Sequence, residues 1–258
     1  MAERLVRVEV AGGVATITLD SPANRNALSQ AMMRELHDAL DTAERALVRA
    51  IVLTHAGPSF CSGADLKERA AIASGSAPQD EPGSTMVDAL RRLIEAESPT
   101  IAVVKGAVRA GGIGLMAACD LVAAAPEVTF AFTEVRIGVA PAIISVPILR
   151  RVSPAHLTAP FLTGEPFDAH YAATIGLVDA VGDPDQLAGA WCAGLRSGAP
   201  GAVAATKALL RTVPGRPLTE AFADMAALSA QMFAGDEARE GMAAFAERRP
   251  PRWVQETV

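Results

Sequence analysis

The chain is poor in cysteine and shows no metal-ligand spacing. It has three cysteines in 258 residues, Cys61, Cys119 and Cys192, with no Cys-x-x-Cys pair and no clustering with its four histidines. An odd number of widely spaced cysteines argues against a disulfide framework, and the missing ligand pattern argues against a zinc site. We therefore expect free thiols in a reducing compartment and no bound metal.

Long apolar runs and an excess of positive charge are also missing. Charged residues interrupt the first seven positions, and no uncharged apolar run approaches the ~20 residues of a membrane span. The 23 basic and 29 acidic residues give a net charge of −6, whereas nucleic acids and anionic membranes bind basic surfaces. We expect a soluble, cytoplasmic protein with neither nucleic acid nor membrane as a partner.

What is present is typical of a globular α/β protein. Half of the residues are hydrophobic and about a fifth are charged. We predict a βα core over residues 1–197 and a helical region over 198–258. The main predicted elements are a hairpin (5–10 and 14–19), a helix after Ser29 to about 47, strands at 49–54, 101–104 and 177–181, a mobile surface loop at 71–84, a helix at 86–97, and helical segments from 201 to 247.

The most informative stretch combines a strand, a glycine turn and a helix. The apolar run 101–104 is followed by Gly111-Gly112-Ile113-Gly114, which opens a short alanine-rich helix. Glycines let the backbone approach a ligand closely, and the first N–H groups of a helix have no internal acceptor. This turn is therefore a candidate anion site. A dinucleotide-binding turn fits less well, because several residues separate the strand from the glycines and the helix is short.

A second strand, glycine loop and helix start occur at residues 50–66. Two such loops could direct two backbone N–H groups at one oxygen atom, which is the geometry of an oxyanion hole. Glycine loops also join strands to helices in many α/β proteins without any catalytic role. The pairing of the two loops is what favours the catalytic interpretation.

Glu134 is the candidate acid or base. It ends an apolar segment, Phe130-Ala-Phe-Thr-Glu134, so burial could raise its pKa towards the value that proton transfer needs. An ion pair with Arg136 or Arg109 is the alternative, and residue types alone leave both open.

In combination and in this order, several motifs resemble the crotonase superfamily of enoyl-CoA hydratases and isomerases, over almost the entire chain. They are Asn26-Ala-Leu, Phe60-Cys-Ser-Gly-Ala-Asp-Leu66, Gly111-Gly-x-Gly-Leu-x-x-x-Cys-Asp120, Phe132-Thr-Glu-Val-Arg-Ile-Gly138 and the tail 241–250. The resemblance implies a spiral of repeated ββα units with a C-terminal helical trimerisation region. It also implies an acyl-CoA thioester as ligand, no separate cofactor, and a homotrimer or dimer of trimers.

The same resemblance implies the site residues. The two oxyanion-hole amides correspond to Ala64 and Gly111, and the catalytic carboxylate to Glu134. We also expect contacts to the substrate from Ala27, Ser62, Asp65, Leu66, Gly112, Gly114 and Pro141 and, because of their charge and position near the first glycine loop, from Arg25 and Lys67. We expect Met86, Ile143 and Phe233 to line the acyl pocket.

One position departs from the family pattern. Many hydratases of this family use two glutamates, and the resemblance places the first of them at Gly114, which cannot move a proton. The segment that starts at Glu134 resembles branched enoyl-CoA hydratases of the methylglutaconyl-CoA type, which also tend to have glycine there. The sequence thus predicts a one-glutamate enoyl-CoA hydratase. A double-bond isomerase and a non-catalytic acyl-CoA-binding scaffold are the alternatives.

Overall fold

The computed structural model describes residues 4–78 and 85–255. The strands in this part of the chain are β1 (Val6–Ala11), β2 (Val14–Leu19), β3 (Ala50–His55), β4 (Ser59–Cys61), β5 (Thr100–Val104), β6 (Ala107–Arg109), β7 (Leu121–Ala124), β8 (Thr129–Ala131), β9 (Phe167–Asp168) and β10 (Ala180–Val181).

The helices are α1 (Gln30–Arg45), α2 (Leu66–Ala73), α3 (Met86–Glu95), α4 (Gly111–Ala117), α5 (Ala142–Arg151), α6 (Pro154–Thr163), α7 (Ala169–Thr174), α8 (Pro184–Ser197), α9 (Pro200–Thr212), α10 (Leu218–Ala234), α11 (Asp236–Glu247) and α12 (Arg252–Gln255). Two 3-10 turns, Pro22–Asn24 and Thr133–Ile137, complete the described elements.

The strands form two sheets. The larger has the order β1-β2-β3-β5-β7-β10, and the smaller has the order β4-β6-β8-β9. Only the β1–β2 and β8–β9 pairs are antiparallel among the pairs of named strands. Three successive strand pairs, β3–β4, β5–β6 and β7–β8, each place their first strand in the larger sheet and their second in the smaller one. A helix or a 3-10 turn follows each pair, so the predicted α/β class with repeated strand-loop-helix units is confirmed.

The strands β3 and β5 are buried along their whole length because both faces of the larger sheet are covered. Side chains alternate between the two faces with a period of two residues. Ile51 and Leu53 belong to the main core, whereas Ala50 and Val52 pack with Ala188 and other residues on the α8 side. These two clusters fix the central strands, and the strands in turn fix the loops that follow them.

Most predicted elements are confirmed, with shifts at their ends. Ser29 caps α1 by accepting a 3.1 Å hydrogen bond from the N–H of Met32, but the helix ends at Arg45. The strand predicted at 177–181 is reduced to β10, because the N–H groups of Leu177 and Val178 donate to the carbonyl of Ala172 instead of a strand. In the predicted loop 71–84, α2 extends to position 73, and residues 79–84 lie outside the described residues.

The C-terminal helices differ from the core in their burial. Ala221 is the only buried residue of α10, and α9 has none. Large apolar side chains project from this region, with Phe222 73% and Phe245 87% exposed. No helix of the described segments is both long enough and apolar enough to cross a membrane. The division of the chain at residue 197 stays a prediction.

Candidate active site

The three predicted catalytic residues follow three neighbouring strand ends. Ala64, Gly111 and Glu134 come two or three residues after β4, β6 and β8, respectively. These strands are adjacent and parallel in the smaller sheet, so their carboxyl ends meet at one edge. Ligands in parallel sheets bind outside the carboxyl ends of the strands. The fold therefore brings the two loops and the carboxylate together at a place suited to a ligand.

The first amide is that of Ala64. The segment at Leu28 pairs with Ala64 as an isolated parallel β-bridge. In this bridge the N–H of Leu28 donates to Gly63 O at 2.8 Å and the N–H of Asp65 donates to Leu28 O at 3.3 Å. Gly63 has φ +93°, a conformation that favours glycine. Within the described residues the N–H of Ala64 itself makes no hydrogen bond, and Ala64 is exposed. Its donor is therefore available to a ligand.

The second amide is that of Gly111, the first residue of α4. It also lacks an acceptor among the described residues. The preceding residue, Ala110, has φ 48° and ψ −121°, a backbone conformation that costs about 1–3 kcal/mol in a non-glycine residue. The N–H of Ala110 donates to Ala131 O at 3.0 Å, which holds this turn against the end of β8.

The two amide-bearing segments are in contact. A Cβ atom added at Gly63 would lie 2.8 Å from Ala110 Cβ and 3.7 Å from the nitrogen of Gly111. Two amide N–H groups without acceptors, on loops that are in contact, can both donate hydrogen bonds to one oxygen atom, as an oxyanion hole requires.

Asn26 supports this arrangement, a role that the Asn26-Ala-Leu motif alone does not reveal. Its side chain is fully buried, accepts from the N–H of Ser21 at 2.7 Å, and donates to Ala56 O at 3.0 Å and Ser59 O at 2.9 Å. These bonds join the turn before α1 to the loop that leads into β4. Asn26 therefore positions the segment that pairs with Ala64. Its own side chain is buried and does not face the ligand.

Glu134 lies in the first turn of the 3-10 segment after β8 and is half-buried. Its Oε2 atom is buried and has no hydrogen-bond partner among the described residues. Burial raises the pKa of the Glu134 carboxyl above its usual value, and a hydrogen bond from its own backbone partly offsets this. A carboxylate in this state is a candidate general base.

The structure also decides between the two interpretations of Glu134. The Arg136 guanidinium pairs with Glu165 at 2.6 Å. The Arg109 guanidinium donates to the carbonyls of Val108 and Thr129 at 2.9 and 2.5 Å. Neither arginine forms an ion pair with Glu134 in the described part of the chain, so its carboxylate is not held as a structural ion pair.

Three of the predicted substrate contacts near the loop that carries Ala64 are exposed: Arg25, Leu66 and Lys67. Asp65 caps α2 by accepting from the N–H groups of Lys67 and Glu68 at 3.0 and 3.1 Å. The Ser62 hydroxyl donates to the carbonyl of Asn24 at 3.3 Å. Asp65 and Ser62 thus already have structural hydrogen bonds, whereas the two cations are placed where an anionic ligand could reach them.

The remaining predicted substrate contacts are buried or lie on another helix. Ala27 is buried beside Asn26, and Gly112 is buried where a Cβ atom would lie 2.6 Å from Cys61 Cβ. Pro141 is the N-cap of α5. Their roles in binding substrate stay predictions. No group of three or more His, Cys, Asp or Glu side chains in residues 4–78 and 85–255 is arranged to hold a metal ion.

Comparison with known proteins decides the family. A family model described as enoyl-CoA hydratase/isomerase matches residues 9–256. The chain belongs to the enoyl-CoA hydratase/isomerase family. Enoyl-CoA hydratase EchA19 of Mycobacterium tuberculosis is 33% identical over 257 residues, which cover 95% of each protein.

Solved structures share the fold over almost the entire chain. An enoyl-CoA hydratase of Mycobacterium smegmatis is 32% identical and superposes with a TM-score of 0.87, covering 97% of this chain and 99% of its own. Pseudomonas aeruginosa AtuE is also 32% identical, with a TM-score of 0.89 and coverage of 97% and 100%. The crotonase-like fold implied by the sequence is therefore confirmed.

Gly114 occupies the position at which the family resemblance places a first glutamate. It is buried in α4, and a Cβ atom there would lie 2.4 Å from Ile144 Cγ2 and 2.7 Å from Ile144 Cβ. Ile144 is itself buried in α5. An apolar side chain from another helix therefore fills the space into which a carboxylate at position 114 would extend.

The burial of the Glu134 carboxylate gives a prediction for stability. Because the pKa of Glu134 in the folded state lies above its usual value of 4.5, the folded chain binds this proton more tightly than the unfolded chain does. Its ionised form therefore destabilises the fold above the folded-state pKa, and this penalty disappears as the pH falls below about 4.5. We expect Glu134→Gln to raise the free energy of unfolding near neutral pH but not in acid.

Urea denaturation of wild type and Glu134→Gln, near neutral pH and below about pH 4.5, measures this difference in the free energy of unfolding. Glu127→Gln is the matched control, because Glu127 is exposed in the turn between β7 and β8, and it should change neither value. Equal stability of wild type and Glu134→Gln near neutral pH would show that the carboxylate is not penalised by burial.

Proposed function

We propose that the chain is an enoyl-CoA hydratase that adds water to a 2-enoyl-CoA thioester with a single carboxylate. The proposal depends mainly on one observation. Two amides without hydrogen-bond partners, of Ala64 and Gly111, and the Glu134 carboxylate, whose Oε2 has no partner among the described residues, follow the ends of three adjacent parallel strands. Membership of the enoyl-CoA hydratase/isomerase family supports an acyl-CoA thioester as the ligand.

In the proposed reaction the thioester oxygen accepts hydrogen bonds from both amides. Negative charge develops on this oxygen when water attacks the β-carbon, and each preorganised donor contributes about a hundredfold to a thousandfold to the rate. The strained turn at Ala110 and the buried Asn26 keep the donors in place before substrate arrives. Stabilisation of the enolate would therefore require little reorganisation of the loops.

Glu134 would orient the water molecule and accept one of its protons. The hydroxide equivalent adds to the β-carbon, and Glu134 then returns the same proton to the α-carbon of the enolate. One carboxylate is sufficient for both proton transfers, since the reaction adds one hydroxyl and one proton in total. Loss of a second acid or base group costs typically a hundredfold to ten-thousandfold, as general acid–base catalysis contributes about that much.

The lone carboxylate also favours a second candidate, a double-bond isomerase. One base can carry one proton between the α- and γ-carbons through the same enolate, and no water needs to be held. A scaffold that binds acyl-CoA without turnover is the third possibility, suggested by the apolar Ile144 in the place of the first glutamate.

Turnover of short, long and branched 2-enoyl-CoA esters tests these candidates, followed by loss of the conjugated thioester absorbance and by identification of the product. We expect a 3-hydroxyacyl-CoA product for at least one ester. A 3-enoyl product would favour the isomerase. Binding of every ester without conversion would contradict both enzymatic candidates and support the scaffold.

We also propose a homotrimer or a dimer of trimers. Support comes from the large apolar side chains that the contacting helices α10 and α11 expose, Leu218, Phe222, Phe233 and Phe245, because several such side chains exposed on neighbouring elements are typical of an interface. The molar mass in solution at micromolar concentration tests this, and a monomer would contradict it.

A further inference from the structure

His55 is a buried side chain that the proposed reaction does not use. It ends β3 and is 5% exposed, and its Nε2 atom accepts a hydrogen bond from the backbone N–H of Lys105 at 3.0 Å. Because this nitrogen accepts, the proton of the neutral ring lies on Nδ1, which is buried and makes no hydrogen bond to the described residues. The ring therefore directs its acceptor at the residue that follows β5.

The surroundings of His55 keep its ring neutral. Burial lowers the pKa of His55 below its usual value, polar backbone groups of the turn after β3 partly offset this, and the Lys105 ammonium lowers the pKa further. That ammonium pairs with Asp185 on α8 at 3.2 Å. On the other side, β2 lies next to β3, and Asp20 at its end pairs with Arg7 at 2.5 Å. The ring can therefore accept a hydrogen bond at neutral pH.

The hydrogen bond between His55 and Lys105 joins the two chain connections that lead to the amides of Ala64 and Gly111. The first connection runs from β3 through β4, and the second runs from β5 through β6. The backbone pairing of β3 with β5 ends two residues before His55. The side chain of His55 therefore extends the attachment of the two strands beyond their backbone pairing.

The two connections stay in contact as far as the amides. A Cβ atom added at Gly106 would lie 2.3 Å from Pro58 O, and one added at Gly112 would lie 2.6 Å from Cys61 Cβ. The segments that carry the two amides touch next along the chain. A shift of one connection against the other would therefore displace one amide relative to the other.

The pairing of β4 with β6 is irregular and does not fix this alignment by itself. Ser59 pairs with Ala107 and Cys61 pairs with Val108, so Phe60 is an extra residue in β4. An extra residue of this kind is a β-bulge, which interrupts the hydrogen-bond ladder and bends its strand. Contacts from outside the pair are therefore needed to hold the bulged strand in place.

His55 contacts both sides of this irregular pair. Its ring packs edge-on against Phe60, with centroids 5.5 Å apart and an interplanar angle of 74°, while Nε2 holds the backbone of Lys105. We propose that His55 is a positioning residue for the oxyanion hole, because it fixes the bulged strand β4 against the connection that leads to Gly111. This inference rests on the proposed function, in which both amides bind one thioester oxygen.

The carbonyl stretch of a bound thioester tests the proposal without requiring turnover. A saturated acyl-CoA ester with ¹³C at the thioester carbonyl is bound to each protein near neutral pH, and infrared difference spectra are recorded. Hydrogen bonds to the oxygen polarise the carbonyl bond and lower this frequency. We expect wild type to lower it relative to the free ester in water. His55→Met should lose most of that shift, since methionine reaches as far as histidine but offers no comparable acceptor for the Lys105 amide.

His55→Gln tests whether the acceptor is the feature that matters. The Oε1 atom of glutamine is as many bonds from the backbone as Nε2 of histidine, so it can accept from the N–H of Lys105. We expect His55→Gln to keep the wild-type frequency. The kcat for hydration, counted per ester-binding site so that unfolded protein does not contribute, should fall about tenfold in His55→Met and stay within about twofold in His55→Gln.

Thr54→Val is the matched control. Thr54 is the buried residue before His55, and its hydroxyl donates to Val103 O at 3.3 Å, so it also joins β3 to β5. This bond lies within the strand pair and not on the connections that lead to the amides. We expect Thr54→Val to lower the free energy of unfolding but to keep the wild-type carbonyl frequency and kcat.

Equal carbonyl frequency and kcat in wild type and His55→Met would overturn the proposal and leave the hydratase function standing. Equal losses in His55→Met and Thr54→Val, or in His55→Met and His55→Gln, would also overturn it, because general loosening or the loss of the ring would then explain the effect. The expected carbonyl shifts without turnover of any enoyl ester would contradict only the proposed hydratase function. A wild-type frequency equal to that of the free ester would contradict both.

Discussion

Glu134→Gln should lower kcat for hydration by about a hundredfold to ten-thousandfold, the usual contribution of a general acid or base. The amide has nearly the shape of the carboxylate but cannot accept a proton from water at neutral pH. Its position in the 3-10 turn after β8 should be kept, because no ion pair of the described residues depends on this carboxylate. Affinity for a saturated acyl-CoA ester should therefore remain within a factor of about two.

Steady-state kinetics of the variant, together with binding of a saturated ester, separates the loss of chemistry from the loss of binding. Glu127→Gln serves again as the control, since it removes an exposed carboxylate outside the candidate site, and it should retain wild-type kcat. Hydration by Glu134→Gln at more than a tenth of the wild-type rate would mean that another group activates the water.

Gly63→Ala should reduce kcat by about a hundredfold to a thousandfold, as expected when one donor of an oxyanion hole is displaced. The added Cβ would lie 2.8 Å from Ala110 Cβ, closer than side-chain carbons pack, so the loops that carry the two amides must separate. The φ of +93° at Gly63 is also unfavourable for alanine. We expect the free energy of unfolding to fall by about 1–3 kcal/mol as well.

Kinetics and urea denaturation of Gly63→Ala should be measured beside Gly215→Ala. Gly215 has a similar φ of +81°, but a Cβ atom there would meet nothing within 4 Å. This control therefore reports the backbone penalty alone and should retain kcat. Equal kcat for both variants would show that the contact between Gly63 and Ala110 does not position the amides.

Local sequence patterns were sufficient to predict much of the fold and the main parts of the candidate site. The apolar runs of β3 and β5 and the spacing of apolar residues in α1 are periodic signals that each segment carries by itself. The glycine loops and Glu134 lie just after such runs, and the parallel pairing of the strands then brings the loops together. Burial of Glu134 was one of two interpretations that the sequence left open, the other being an ion pair with Arg136 or Arg109.

Contacts between distant segments could not be read from these patterns. Nothing near Gly114 indicates that Ile144, thirty positions later, fills the adjacent space. The pairing of Arg136 with Glu165 depends on the packing of α6 against the 3-10 turn. Asn26 has three hydrogen bonds to backbone groups of two loops, and only the folded chain places those groups around its side chain.

The shortening of the predicted strand at 177–181 has a similar cause. Leu177 and Val178 are apolar and buried, as in a strand, but their N–H groups bond to the carbonyl of Ala172 at the end of α7. An apolar run specifies burial more reliably than it specifies hydrogen-bond partners.

In the proposed reaction, Glu134 and two backbone amides direct the addition of water to an enoyl thioester. Incubation of wild type with a 2-enoyl-CoA ester in ¹⁸O-labelled water, followed by mass spectrometry of the acyl-CoA product, shows whether water is added. We predict one ¹⁸O atom, bonded to the β-carbon of a 3-hydroxyacyl-CoA, and about a hundredfold to ten-thousandfold slower formation of this labelled product by Glu134→Gln. An unlabelled product with a moved double bond, or an ester that is bound but unchanged, would contradict hydration as the activity of this site.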